Sequence, residues 1–170
     1  MNIRLQPMTR ELCRIYMQEF EPDKALFADP KDYRPYVYEE TACDAYFERQ
    51  RQLGRIHLAI MKDDSAIGEI ILKKIDPLLR HCTLSISLQN DQVKNQGYGT
   101  RAEQLALNYA FHELDMITVY ADSLLGNLRS QHVLEKVGFR ETHRDDLFVY
   151  YEIRKPDWQA NQEPISNCRF

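Results

Sequence analysis

The chain lacks any apolar run long enough to cross a bilayer, and it carries no apolar N-terminal segment of the secretory kind. Its four cysteines, Cys13, Cys43, Cys82 and Cys168, form no CxxC pair, and no histidine clusters with them. A zinc site is therefore not expected. Scattered thiols read as free cysteines of a reducing compartment, so the expected location is cytoplasmic, with no membrane partner. A basic surplus is also missing. Twenty-two Lys and Arg stand against 26 Asp and Glu, a net charge of −4, which gives nucleic-acid binding no electrostatic support. Internal repeats, low-complexity segments and domain linkers are absent as well. What is present is 44% hydrophobic residues in 170, enough for one core. Residues 1–155 read as a single domain and residues 156–170 as a polar, peripheral tail.

Apolar spacing orders the elements. Ile3 and Leu5 alternate with polar residues in a short strand, and Thr9 suits the N-cap of a following helix. Residues 21–37 hold Pro22, Pro30 and Pro35 among aromatics, a long loop suited to binding. Thr41 and Asp44 resemble a capping box for a helix that ends before Gly54. Residues 56–62 and 66–75 flank the polar turn Asp63-Asp64-Ser65 as a hairpin, and residues 82–88 alternate as a third strand. Hairpin-linked neighbours imply an antiparallel central sheet. Two amphipathic helices, residues 102–114 and 127–137, surround a strand at residues 117–121, and residues 147–153 close the sheet.

Between strand and helix stands Lys94-Asn95-Gln96-Gly97-Tyr98-Gly99-Thr100. Helix-start N–H groups lack intrahelical partners and carry partial positive charge, so such a turn can hold phosphate. Three readings compete. Gly97, Gly99 and Ala102 fit a dinucleotide fingerprint, with Asp122 where a ribose-binding acid would stand, but antiparallel strands before it speak against that fold. A Walker loop fails for want of Gly-Lys-[Ser/Thr]. A plain tight connection is the third.

A second segment adds to the first. Asn127-Leu128-Arg129-Ser130 leads into Val133-Leu134-Glu135-Lys136-Val137-Gly138-Phe139. With the Lys94 turn at the right separation, the chain resembles the GNAT acetyltransferase superfamily. That family joins an [Arg/Gln]-x-x-Gly-x-[Gly/Ala] loop to a later Asn-x-x-[Ser/Ala] helix ending in Glu-Lys-x-Gly-Phe. Its ribosomal-protein N-terminal and spermidine acetyltransferase branches look most similar. The resemblance implies an α+β fold in α/β/α layers, with a mixed, mostly antiparallel sheet flanked by helices. It also implies acetyl-CoA as cosubstrate and a primary amine as acceptor, either a small amine or a protein N-terminus. A non-catalytic acyl-CoA-binding module is the rival function, and a homodimer stays open.

The resemblance further implies a site. Lys94, Asn95, Gln96, Gly97, Tyr98, Gly99 and Thr100 would hold the pyrophosphate. Ser87, Leu88, Gln89 and Asn127 would line the pantetheine arm, with an N–H near Leu88 or Gln89 polarising the thioester carbonyl. Lys94 and Asn95 depart from the usual Arg or Gln followed by Gly, and Asn is the non-glycine residue best suited to a left-handed backbone. Leu134 stands where many relatives carry a catalytic Tyr, so Ser130, one turn after Asn127, is the expected proton donor as well as a cofactor contact. Glu69 is the expected base for the amine. The segment 20–40 and the last strands are expected to choose the acceptor.

Overall fold

The computed structural model describes residues 2–27 and 29–160. Strand β1 (Ile3–Pro7) buries Ile3 and Leu5, and Thr9 caps helix α1 (Arg10–Gln18) by accepting the Leu12 N–H at 3.2 Å. The loop after it contains two short 3-10 turns, Lys24–Leu26 and Pro30–Asp32. Helix α2 (Glu40–Gln52) is capped differently from expectation. Glu39, not Thr41, accepts the N–H groups of Thr41 and Ala42, because its longer carboxylate reaches both. Asp44, freed from that task, receives Arg10 and the Arg14 guanidinium and ties α2 to α1; the Arg14 pairing holds its carboxyl down at about 2.

Strands β2 (Ile56–Lys62), β3 (Ser65–Asp76) and β4 (His81–Leu88) follow as consecutive antiparallel neighbours. Asp63 takes the left-handed conformation in the first hairpin turn. Helix α3 (Tyr98–His112) then crosses to β5 (Thr118–Leu124), helix α4 (Leu128–Val137) to β6 (Arg140–Arg144), and β7 (Phe148–Arg154) runs into α5 (Lys155–Ala160). The sheet order is β1-β2-β3-β4-β5-β7-β6, antiparallel everywhere except the β4–β5 pair.

One face of β2 and β3 is covered by α1 and α2, with Cys13, Tyr16, Cys43 and Ala59 between them. The Cys13 and Cys43 thiols lie 3.7 Å apart there, both free, and Cys82 is free in the other layer. Cys168 lies outside the described residues. The opposite face packs against α3 and α4 through one large core, each buried aliphatic contributing on the order of 1.5–3 kcal/mol. That core reaches past the expected domain end. Trp158 is fully buried against Phe111, so residues 155–160 are an integral helix rather than a peripheral tail.

Candidate active site

Strands β4 and β5 start together and then part. Their parallel pairing covers His81–Thr83 and Thr118–Tyr120, whereas β4 stays bonded to β3 as far as Leu88. Residues 84–88 thus open a gap toward residues 121–124. Along an antiparallel ladder successive N–H groups alternate in direction. Gln89 donates its N–H to the Ile67 carbonyl at 2.9 Å, so the Leu88 N–H turns toward the gap. Gly68 allows the close approach of β3 at this point, since a Cβ there would lie 2.5 Å from the Ser87 carbonyl oxygen.

Helix α3 begins above the end of β4. Its N-cap is Gly97 at φ 81°, which has no side chain to offer, and the first helical amide bond is Arg101 to the Gly97 carbonyl at 3.0 Å. The N–H groups of Tyr98, Gly99 and Thr100 are thus helix-start donors left for an anion. Asn95 enters the turn at φ 59°, the left-handed geometry that its side chain tolerates best among non-glycine residues.

Two clefts meet at the gap. The first, about 220 Å³, lies between the α3 start, the Phe20–Leu26 stretch and α4, and includes Ser87, Leu88, Lys94, Gly99, Glu103 and Arg129 in its wall. The second, about 180 Å³, lies between β4 and β5 and includes Ser85, Asp122, Leu134 and Phe148. Ile86, Asn127 and Ser130 belong to both walls, so the clefts join there. Asn127 accepts the Ser130 N–H through Oδ1 at 3.1 Å, which fixes the first turn of α4 at the junction.

At the mouth of the first cleft four charges interlock. Lys94 Nζ lies 3.5 Å from Asp23 and 3.2 Å from Asp91; Arg129 Nη1 lies 3.2 Å and 3.4 Å from the same two carboxylates. Lys94, helped by Arg129, holds the Asp91 carboxyl below its usual range. An uncapped helix start, two cations and a long cleft ending in a gap between strands match a phosphate-bearing, extended cosubstrate. The family profile for the Acetyltransferase (GNAT) domain matches residues 3–140.

The chain belongs to the GNAT acetyltransferase family.

It is an acetyl-CoA-dependent N-acetyltransferase, and its relatives agree. From Bacillus subtilis strain 168, "Probable N-acetyltransferase YjcK" is 32% identical over 145 residues, covering 82% of this chain and 74% of its own. "Putative ribosomal N-acetyltransferase YdaF" of the same strain is 27% identical over 136 residues, 74% of each chain. Among solved structures, a Vibrio cholerae spermidine N-acetyltransferase in complex with CoA and spermine superposes with a TM-score of 0.74 at 15% identity, covering 92% of this chain and 98% of its own. That last likeness concerns the fold.

In this GNAT domain the expected cofactor residues fall into two groups. Ser87, Leu88, Lys94, Gly99, Asn127 and Ser130 line the first cleft, and Asn95 and Gly97 shape its turn. Gln96 turns its amide back to the Gln92 carbonyl, while the Tyr98 ring is buried beside Lys62. Gln89 is a correction. Its N–H goes to Ile67, its carbonyl accepts from Glu21, and its side chain donates to the Ile15 and Tyr16 carbonyls. It pins the loop after α1, and its backbone N–H, already given to Ile67, is not the donor expected for a thioester carbonyl.

Glu69 also departs from expectation. It is buried, its carboxylate receives the Tyr46 hydroxyl and faces His57 Nε2, both at 2.7 Å, and it lines neither cleft. Its strand partner Ser87 stands in the stretch that opens the gap and lines the first cleft. Its strand position points away from α3, toward α1 and α2, where Ser87 beside it accepts the Tyr16 hydroxyl at 2.7 Å. Asp122 lines the second cleft at the gap. On β5, Val119, Ala121 and Ser123 are buried while Tyr120 and Asp122 face outward, so simple alternation places Asp122 on the open side. Arg129, in the wall of the first cleft beside Lys94, was not foreseen; its signal was adjacency to Asn127 on the first turn of α4.

Proposed function

We propose that the acceptor is a cationic primary amine, a small polyamine-like molecule or a peptide N-terminus, that reaches the gap across the open face of β5 and β7. The observation that carries this reading is the pair of clefts meeting at Ile86, Asn127 and Ser130, with a phosphate-ready helix start on one side and Asp122 on the other. The names of the relatives, a ribosomal N-acetyltransferase for YdaF and a spermidine N-acetyltransferase among the solved structures, support an amine of this kind.

Acetyl-CoA supplies the acetyl thioester. Tyr98, Gly99 and Thr100 amides with Lys94 and Arg129 bind its phosphates, and Asn127 orients its arm. The Leu88 N–H offers a donor for negative charge developing at the gap. An amine of pKa near 10 arrives mostly protonated at pH 7, so it must be attracted as a cation and then lose its proton. Asp122 does both, attracting the ammonium and accepting its proton directly or through water. Tyr150 stands opposite Asp122 on β7, its hydroxyl donating to Asp145 at 2.8 Å, and gives the acceptor path an aromatic wall. Ser130, at the junction, is the proton donor to the departing sulfur, where Leu134 provides none.

The test is release of free CoA with acetyl-CoA and a panel of polyamines and peptides with free N-termini. Turnover on a cationic amine that falls in Asp122→Asn, with cosubstrate affinity retained, is the expected result. Tight acetyl-CoA binding with no turnover on any amine makes the chain a non-catalytic binder and ends this reading.

A further inference from the structure

Glu103 sits on α3 one turn after Gly99, about 6 Å farther along the helix axis. Its sequence neighbours Ala102, Leu105, Ala106 and Leu107 are buried and apolar, as a core helix requires. Glu103 is only 1% exposed, its Oε2 has no hydrogen-bond partner among the described residues, and it lines the first cleft beside Leu88, Gly99 and Val133. A buried carboxyl oxygen without a partner costs about 1–3 kcal/mol, and a leucine at this position would avoid that cost. The amine chemistry assigned above makes no use of it.

We propose that Glu103 is a cofactor-binding residue whose carboxyl hydrogen-bonds the hydroxyl-and-amide portion of the pantetheine arm. The proposal rests on the first cleft being the cosubstrate channel. Phosphates anchored at Gly99 place the arm's first polar groups, a hydroxyl and an amide, about one helical turn away along the cleft, which is the level of Glu103. Burial pushes its carboxyl up to about 8, with no charged group contributing. The neutral form is a donor for a carbonyl and an acceptor for a hydroxyl, so it suits either group.

Calorimetric binding of CoA, 4′-phosphopantetheine and 3′-phospho-ADP to the wild type, Glu103→Gln, Glu103→Leu and Glu103→Met tests this. The apolar variants should weaken CoA and 4′-phosphopantetheine by about fivefold to tenfold, one lost hydrogen bond, and leave 3′-phospho-ADP unchanged. Glu103→Gln, which keeps the shape and the donor, should stay within about twofold. The apolar variants should also melt higher than the wild type, so weaker binding cannot be ascribed to a damaged fold. Wild-type CoA affinity in both apolar variants overturns the proposal, as does a loss in Glu103→Gln equal to theirs or a loss extending equally to 3′-phospho-ADP. Gly99→Glu is the control for the channel. If it still binds CoA, the channel assignment fails and the proposal with it; if it loses CoA while the apolar Glu103 variants do not, Glu103 alone is wrong.

Discussion

The two sides of the β4–β5 gap are built on different principles. The α3 side is made of backbone: helix-start amides, a left-handed Asn95, an uncapped Gly97 and the turned-out Leu88 N–H. The β5–β7 side is made of side chains on outward strand positions, Tyr120, Asp122 and Tyr150, in a stretch of sheet that the helices leave exposed. Backbone sites tolerate few residue types, whereas an exposed strand position accepts almost any. The donor side is therefore constrained and the acceptor side free to vary, which suits a family that keeps one donor and changes its amines.

The largest effect expected from breaking the donor side is at Gly99. A Cβ there would lie 3.7 Å from Leu88 Cδ1, ordinary contact, so Gly99→Glu has room to fold. Its carboxylate would occupy the phosphate position, and CoA binding should be lost while the melting transition stays cooperative. Breaking the acceptor side should act on turnover alone. Asp122→Asn is expected to lower kcat/KM for the amine by about 100-fold or more with CoA affinity unchanged, read by steady-state kinetics and calorimetry.

These two sides were also unequally legible in the sequence. Thr9, Asn127 and the positive φ of Asn95 could be foreseen because cap and turn geometry restrict the residue type. The α+β class and the mostly antiparallel sheet followed from hairpin spacing and from the resemblance together. Asp122 could be seen but was weighed only as a ribose-binding acid, because whether a strand residue faces a cleft depends on where its neighbour stops pairing. The partners of Glu69, Tyr46 and His57, were not legible for a similar reason, since they come from other elements. Glu39 displaced Thr41 as a cap through side-chain reach that motif spacing does not encode. Trp158 joined the core because of Phe111, 47 positions earlier in the chain, a contact invisible to local pattern.

Smaller effects sharpen the comparison at the cleft mouth. Asp23 and Asp91 both pair with Lys94 and Arg129, so a phosphate bound as proposed would have to compete with them. Asp23→Asn should tighten CoA binding by about threefold to tenfold, most at low salt, and Arg129→Gln should weaken it by a similar factor; fluorescence titration at two ionic strengths checks both. A separate effect is on stability rather than on binding or turnover. Glu103 keeps its proton in the folded chain up to about 8, while the unfolded chain loses it near 4.5. Between those values the native state binds more protons, so stability should fall as pH rises and level off above 8. The melting temperature of Glu103→Gln should lack this decline relative to the wild type across pH 5 to 8.

The central claim is that donor and acceptor occupy opposite sides of one gap and meet at Ser130. Amide resonances of the isotope-labelled protein, followed first with CoA alone and then with a turned-over amine added, test it directly. CoA should shift Leu88, Gly99, Thr100 and Ser130 and leave Asp122 and Tyr150 unmoved, and the amine should then shift Asp122 and Tyr150. Shifts from CoA at Asp122 without any at Gly99 and Thr100, or an amine response confined to the α3 side, would contradict the account.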